Sequence, residues 1–116
     1  MTSNTMAVLK RIEAIIQEGW TKGAYAVDAL GCRVRYMDSA ACQWCLSGAI
    51  LKACFEFGVD FEVVEIAFNG TIPGTDNISR FNDRPIRTKE DVIHLIQQVQ
   101  RDFPVLQFKP RKWTDG

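Results

Sequence analysis

From Thr5 to Trp20 the apolar residues Val8, Leu9, Ile12, Ile15 and Ile16 recur every three or four positions, with Lys10, Arg11, Glu13, Gln17 and Glu18 between them. That spacing predicts an amphipathic helix. Ser3, Asn4 or Thr5 can cap its start, and Gly19 can end it in a left-handed conformation. The rhythm then shortens. Val34 and Tyr36 alternate with Arg33 and Arg35, which predicts a strand with one wet face. The turn residues from Asp28 to Gly31 suggest a hairpin pairing Tyr25–Val27 with Cys32–Tyr36.

Residues 39–57 return to helical spacing, opened by Asp38 or Ser39 and closed by Gly58. Wound at about 100° per residue, Trp44, Leu51 and Phe55 form one apolar stripe, and Cys42, Leu46, Ala49, Ile50, Ala53 and Phe57 form another on the far side. A helix apolar on two sides is a central one. Asp60 can cap a further short helix over 60–68, although Val63, Val64 and Ile66 suit a strand as well. Residues 69–79 read as loop, and Phe81–Pro85 reads as a turn because Pro85 biases Arg84 away from helix. Thr88, with Asp91 three residues on, opens a last helix that buries Val92, Leu95, Ile96 and Val99.

The pattern therefore predicts a mainly helical α+β fold, about four helices around a central buried helix at Ser39–Phe57 with a small β-hairpin. Residues 1–102 form the single globular domain. The remainder, 103–116, is an apolar and basic tail expected to pack on the domain or on a partner, and it offers a route to a homo-oligomer.

Composition narrows the function classes. The chain has 116 residues, with fourteen Lys plus Arg against fourteen Asp plus Glu. A net charge of zero lacks the basic excess that neutralises nucleic-acid phosphates, so nucleic acid is a poor candidate partner. No apolar run reaches the roughly 20 residues of a membrane span, which removes a membrane partner. Four cysteines without a secretory pattern read as reduced thiols in the cytoplasm.

Three clusters carry candidate chemistry. The first is Cys42-Gln43-Trp44-Cys45. A zinc site needs four ligands, yet only Cys32, Cys54 and the lone His94 could complete one, so no metal and no cofactor is expected. On a helix the two cysteines stand about 60° apart, and they read best as small hydrophobes between packed helices. His94 falls on the polar side of the last helix, which argues against a Cys–His dyad. The second cluster is Asn82-Asp83-Arg84. It either holds the turn before the last helix or rims a polar pocket, with Arg80 and Arg87 ready for an anionic group. The third is Trp20 and Trp44, core residues by default, which could instead stack on a planar ligand.

The stretches GWTKGAYAVDALG, DSAACQWCLSGAI and FNDRPIRTKEDVIHLI, in that order, resemble a bacterial and phage family catalogued as domain of unknown function 6197. The resemblance runs over residues 5–101. It rests on Gly19-Trp20, Gly23-Ala24, the Asp28–Gly31 turn, Ala41, Trp44-Cys45, Gly48-Ala49, Asn82-Asp83 and Arg87-Thr88. Val27 departs from it, since the family often has Arg there. The resemblance implies a small helical domain that recurs in phage and prophage genomes, and it implies no activity. Among the cysteines it singles out Cys45.

The expected function is a small non-enzymatic accessory protein that binds a host protein or a small anionic, nucleotide-like molecule. Trp20, Trp44, Arg80, Asn82, Asp83, Arg84 and Arg87 are its candidate ligand-binding residues. The alternatives are a small enzyme with Cys45 as nucleophile and Asp83 as acid–base or orienting group, and a purely structural or interaction domain.

Overall fold

A computed structural model describes residues 3–103 with the exception of Thr75. Helix α1 spans Ser3–Glu18, strand β1 Ala26–Val27, strand β2 Gln43–Trp44, and helix α2 Leu46–Phe57. Helices α3 (Phe61–Thr71), α4 (Ile78–Asp83) and α5 (Lys89–Asp102) follow. The architecture is the mainly helical α+β fold that the periodicity predicts. It has five helices among the described residues rather than four, because Ile78–Asp83 coils once behind an Asn77 cap whose side chain accepts from Arg80 N.

The helix α1 lies between α2 and α5, while α3 packs on α2 and α5 and α4 packs on α2. Leu9, Ile12 and Ile16 of α1 meet Leu46 and Ile50 of α2, Phe68 of α3 and Ile96 of α5 in one core, each with no exposed surface. Burying a Leu, Ile or Phe side chain contributes about 1.5–3 kcal/mol, so these few residues outweigh any single surface contact. The ends follow local chemistry. Thr88 and Asp91 form a complete capping box on α5, and Gly58, at φ 66°, ends α2. Residues 60–68, open between helix and strand, are helical behind the Asp60 cap, whose carboxylate accepts from Glu62 N.

The central helix begins later than its composition suggests. The expected Ser39–Phe57 helix starts at Leu46, and Gln43–Trp44 are a strand pairing antiparallel with Ala26–Val27. Nothing local forbids helix over 39–45. The backbone of Trp44 is instead engaged from outside, donating to the Gly19 carbonyl at 3.0 Å while its own carbonyl accepts from Thr21 at 3.1 Å. The hairpin therefore closes between Ala26–Val27 and Gln43–Trp44. The predicted Cys32–Tyr36 partner keeps only a single bridge, Arg33 to Val27. The expected apolar stripe of Trp44, Leu51 and Phe55 fails with the helix start. Phe55 is 67% exposed, and α2 is buried all round only in its first turn, from Leu46 to Ile50.

Two glycines let these layers meet. A Cβ on Gly48 would stand 2.0 Å from the Tyr25 carbonyl oxygen, and one on Gly19 2.1 Å from that of Cys42. Gly19 does not take the left-handed conformation expected of it, and what its position requires is room. The tail beyond Phe103 lies outside the described residues, and with it the expectation of how that tail packs. Phe103 itself is half-buried against the core.

Candidate functional site

Asn82 is fully buried and uses all its hydrogen-bonding capacity. Its Oδ1 accepts from Trp20 Nε1 at 2.7 Å and from the Leu46 backbone N–H at 3.0 Å. Its Nδ2 donates to the Thr21 carbonyl at 3.1 Å and to Asp83 Oδ1 at 2.9 Å. Trp Nε1 and a backbone N–H can only donate, so the amide orientation is fixed by its partners. One side chain thus ties α4 to the start of α2 and to the segment after α1. Asp83 extends the tie by accepting from Gly23 N at 3.2 Å.

Cys45 is the N-cap of α2, and its sulfur accepts from Gly48 N at 3.3 Å. Burial pushes its thiol above the usual range and outweighs the opposing backbone hydrogen bonds from Gly48 and Ser47, while the Asp83 carboxylate adds a smaller push in the same direction. Cys42 is exposed on the strand side of Trp44. Three residues of extended chain span roughly 10 Å, more than the ~7 Å a disulfide bridges. The pair therefore sits on a strand-to-helix corner, not side by side on a helix. Among the described residues, no three His, Cys, Asp or Glu side chains are grouped to hold a metal. His94 is exposed on α5, as its position on the helix predicted.

The structure brings Cys45, Asn82 and Asp83 together on a cavity of about 330 Å³. Gly23–Ala26, Arg33, Val34 and Ser79 complete its wall. Trp20 reaches this junction through its bond to Asn82. The Trp44 ring is buried, with Nε1 donating to the Tyr36 carbonyl at 3.0 Å. None of the three arginines predicted for the site lines the cavity. Arg84 is held by Asp76. Arg87 donates to the Phe81 carbonyl at 2.7 Å and lies 3.7 Å over the Phe81 ring. Arg80 is exposed and free of side-chain partners among the described residues.

A wider groove of about 600 Å³ adjoins the cavity and shares Tyr25, Arg33 and Val34 with it. Arg35, Tyr36 and Met37 form the rest of its lining. Arg33 and Arg35 are exposed and, among the described residues, their guanidinium groups have neither a carboxylate nor a hydrogen-bond partner, although the Arg35 carbonyl accepts from Asp38 N at 3.0 Å. Sequence reasoning passed over this pair as the wet face of a strand. The signal was present in two arginines, one residue apart, alternating with Val34 and Tyr36.

A helical α+β domain, knotted at one buried asparagine beside an open cleft, is the class that fold and site define. The chain belongs to the family of unknown function DUF6197, whose model matches residues 1–102. No curated protein and no solved structure matches it.

Proposed function

We propose that this protein is a non-enzymatic binding domain, and that its partner presents an anionic group to Arg33 on the surface shared by the cavity and the groove. The carrying observation is the inequality among the arginines. Arg11 is bound to Glu56 at 2.8 Å, Arg84 to Asp76, and Arg87 to the Phe81 carbonyl. Arg33 stands at the junction of both concavities with its fork unused. A planar guanidinium with five free donors suits bidentate recognition of a carboxylate or phosphate.

The binding reading draws further support from the residues on which the resemblance to the family rests. Gly19 and Gly48 make room, Trp20 and Asn82 bond each other, Trp44 bonds Tyr36, Cys45 and Thr88 cap helices, and Arg87 holds Phe81. Each already serves the scaffold. A nucleophilic Cys45 would need a lowered pKa, and its surroundings raise it. A cytoplasmic accessory role fits four free thiols.

The test is calorimetric titration of citrate, inorganic diphosphate, a nucleoside triphosphate and acidic peptides into the full chain and its Arg33→Ala variant. At least one probe should bind the parent and lose most of its affinity in the variant. Equal responses from both proteins across the panel would defeat the reading.

A further inference from the structure

The segment from Cys32 to Arg35 lies along the outer side of β1, joined to it by the single Val27–Arg33 bridge. Val34 N donates to the Ala26 carbonyl at 3.1 Å, and Asp28 N to the Cys32 carbonyl at 2.9 Å. β1 pairs on its other side with β2, which also bridges to Trp20. Neighbouring backbone groups of an extended chain point to opposite edges. The N–H of Val34 is turned inward, so those of Arg33 and Arg35 and the Arg33 carbonyl are turned outward. Among the described residues none of the three has a backbone partner. Sheet edges left open in this way are templates for a further strand.

The side chains make the edge selective. Val34 and Tyr36 are half-buried and pack on the core, so Arg33 and Arg35 share the opposite, exposed face. Tyr25, 56% exposed, and Met37 line the same groove. Among the described residues, the charged groups lining the groove are Arg33 and Arg35, and both guanidinium groups are unpaired. Fold and charge together specify an occupant that is extended, acidic at every second residue, and apolar in between.

We propose that the Arg33–Arg35 edge binds an acidic peptide segment of a partner protein by strand addition. This inference rests on the anionic-partner reading above and names the partner's class. In an antiparallel register the residue opposite Arg33 exchanges both backbone hydrogen bonds with it. Its side chain falls on the Arg33 face, so that residue is acidic. The next acidic residue, two positions along, meets Arg35. Main-chain bonds supply affinity and the two guanidinium groups supply selection.

The experiment measures fluorescence anisotropy of a labelled, end-blocked Val-Glu-Val-Glu-Val-Glu peptide with the full chain. Backbone amide NMR shifts map the contact. Binding is expected to shift residues 33–37 and to weaken by at least about tenfold in the Arg33→Glu, Arg35→Glu double variant. N-methylation of the glutamates, whose amides face the edge, should weaken binding by at least about tenfold, while N-methylation of the valines changes it by less than about twofold. Binding indifferent to which amides are methylated would overturn strand addition and leave the anionic-partner reading intact. No binding of this peptide beside Arg33-dependent binding of citrate or diphosphate would do the same. Absence of Arg33-dependent binding by peptide and small anions alike would remove both.

Discussion

Two neighbouring regions of this protein use polar residues in opposite ways. Around Asn82, every donor and acceptor of the side chain is matched, and the partners come from three separate parts of the chain. Around Arg33, a few residues across the cavity, charged and backbone groups are exposed and unmatched. A satisfied buried network stabilises one arrangement of the backbone, whereas an unsatisfied surface group is free to meet something else. The residues that carry the resemblance to the family lie mostly in the first region, where folding accounts for them, and Arg33 and Arg35 lie outside that set.

The comparison breaks most visibly at Gly48. Gly48→Ala places a methyl group against the Tyr25 carbonyl, which is backbone and cannot rotate away. The expected loss is at least about 4 kcal/mol, read from urea denaturation or, at the extreme, from failure to fold. Asn82→Asp, nearly the same shape, comes next. It removes both donors and sets a second carboxylate beside Asp83, costing about 3 kcal/mol near neutral pH. The new buried carboxyl has its pKa raised, so the variant should recover stability as the pH falls and the group is protonated. A parallel pH series with the parent protein checks this.

A smaller effect concerns the thiols. Burial pushes Cys54 up to about 12 and raises Cys45. Their folded pKa values lie above the unfolded value, so the contribution is complete below about pH 8.5 and is lost as pH rises through the folded values. Melting temperature should therefore fall over that alkaline window. At neutral pH iodoacetamide should label the exposed Cys32 and Cys42 well before Cys45 and Cys54. Fast labelling of Cys45 would revive the nucleophile reading. The smallest expected effect sharpens the contrast from the other side. Arg33→Ala should change stability by no more than about 0.5 kcal/mol, since among the described residues the exposed side chain makes no hydrogen bond or ion pair, while altering binding.

How much of this was legible varies by element. α1 and α5 were readable because their apolar faces are local properties, and the Thr88–Asp91 box that caps α5 was visible in four residues. The helix over 61–71 was half readable, since β-branched residues suit both states and the Asp60 cap tips the balance. The start of α2 was not readable. Ala40 to Cys45 has ordinary helix-compatible residues, and what keeps Gln43–Trp44 extended is pairing with Ala26–Val27 and the bonds of Trp44 to Gly19 and Thr21, more than twenty residues away. For the site, Asn82 and Asp83 were visible as a cluster, but whether they faced solvent or the scaffold was not. Trp20 was named beside them without its bond to Asn82.

The sequence by itself determined the class of fold, the amphipathic helices α1 and α5, the helix ends marked by Gly58, Asp60 and Thr88, and the absence of a long apolar span. Those follow from periodicity and capping, which act within a few residues. Only the tertiary structure decided where the central helix begins, which segment closes the hairpin, that Asn82 is fully used, and that Arg33 and Arg35 are not. Each of these depends on hydrogen bonds or ion pairs between residues far apart in the chain, and whether a polar group is matched is known only once its distant partners are in place.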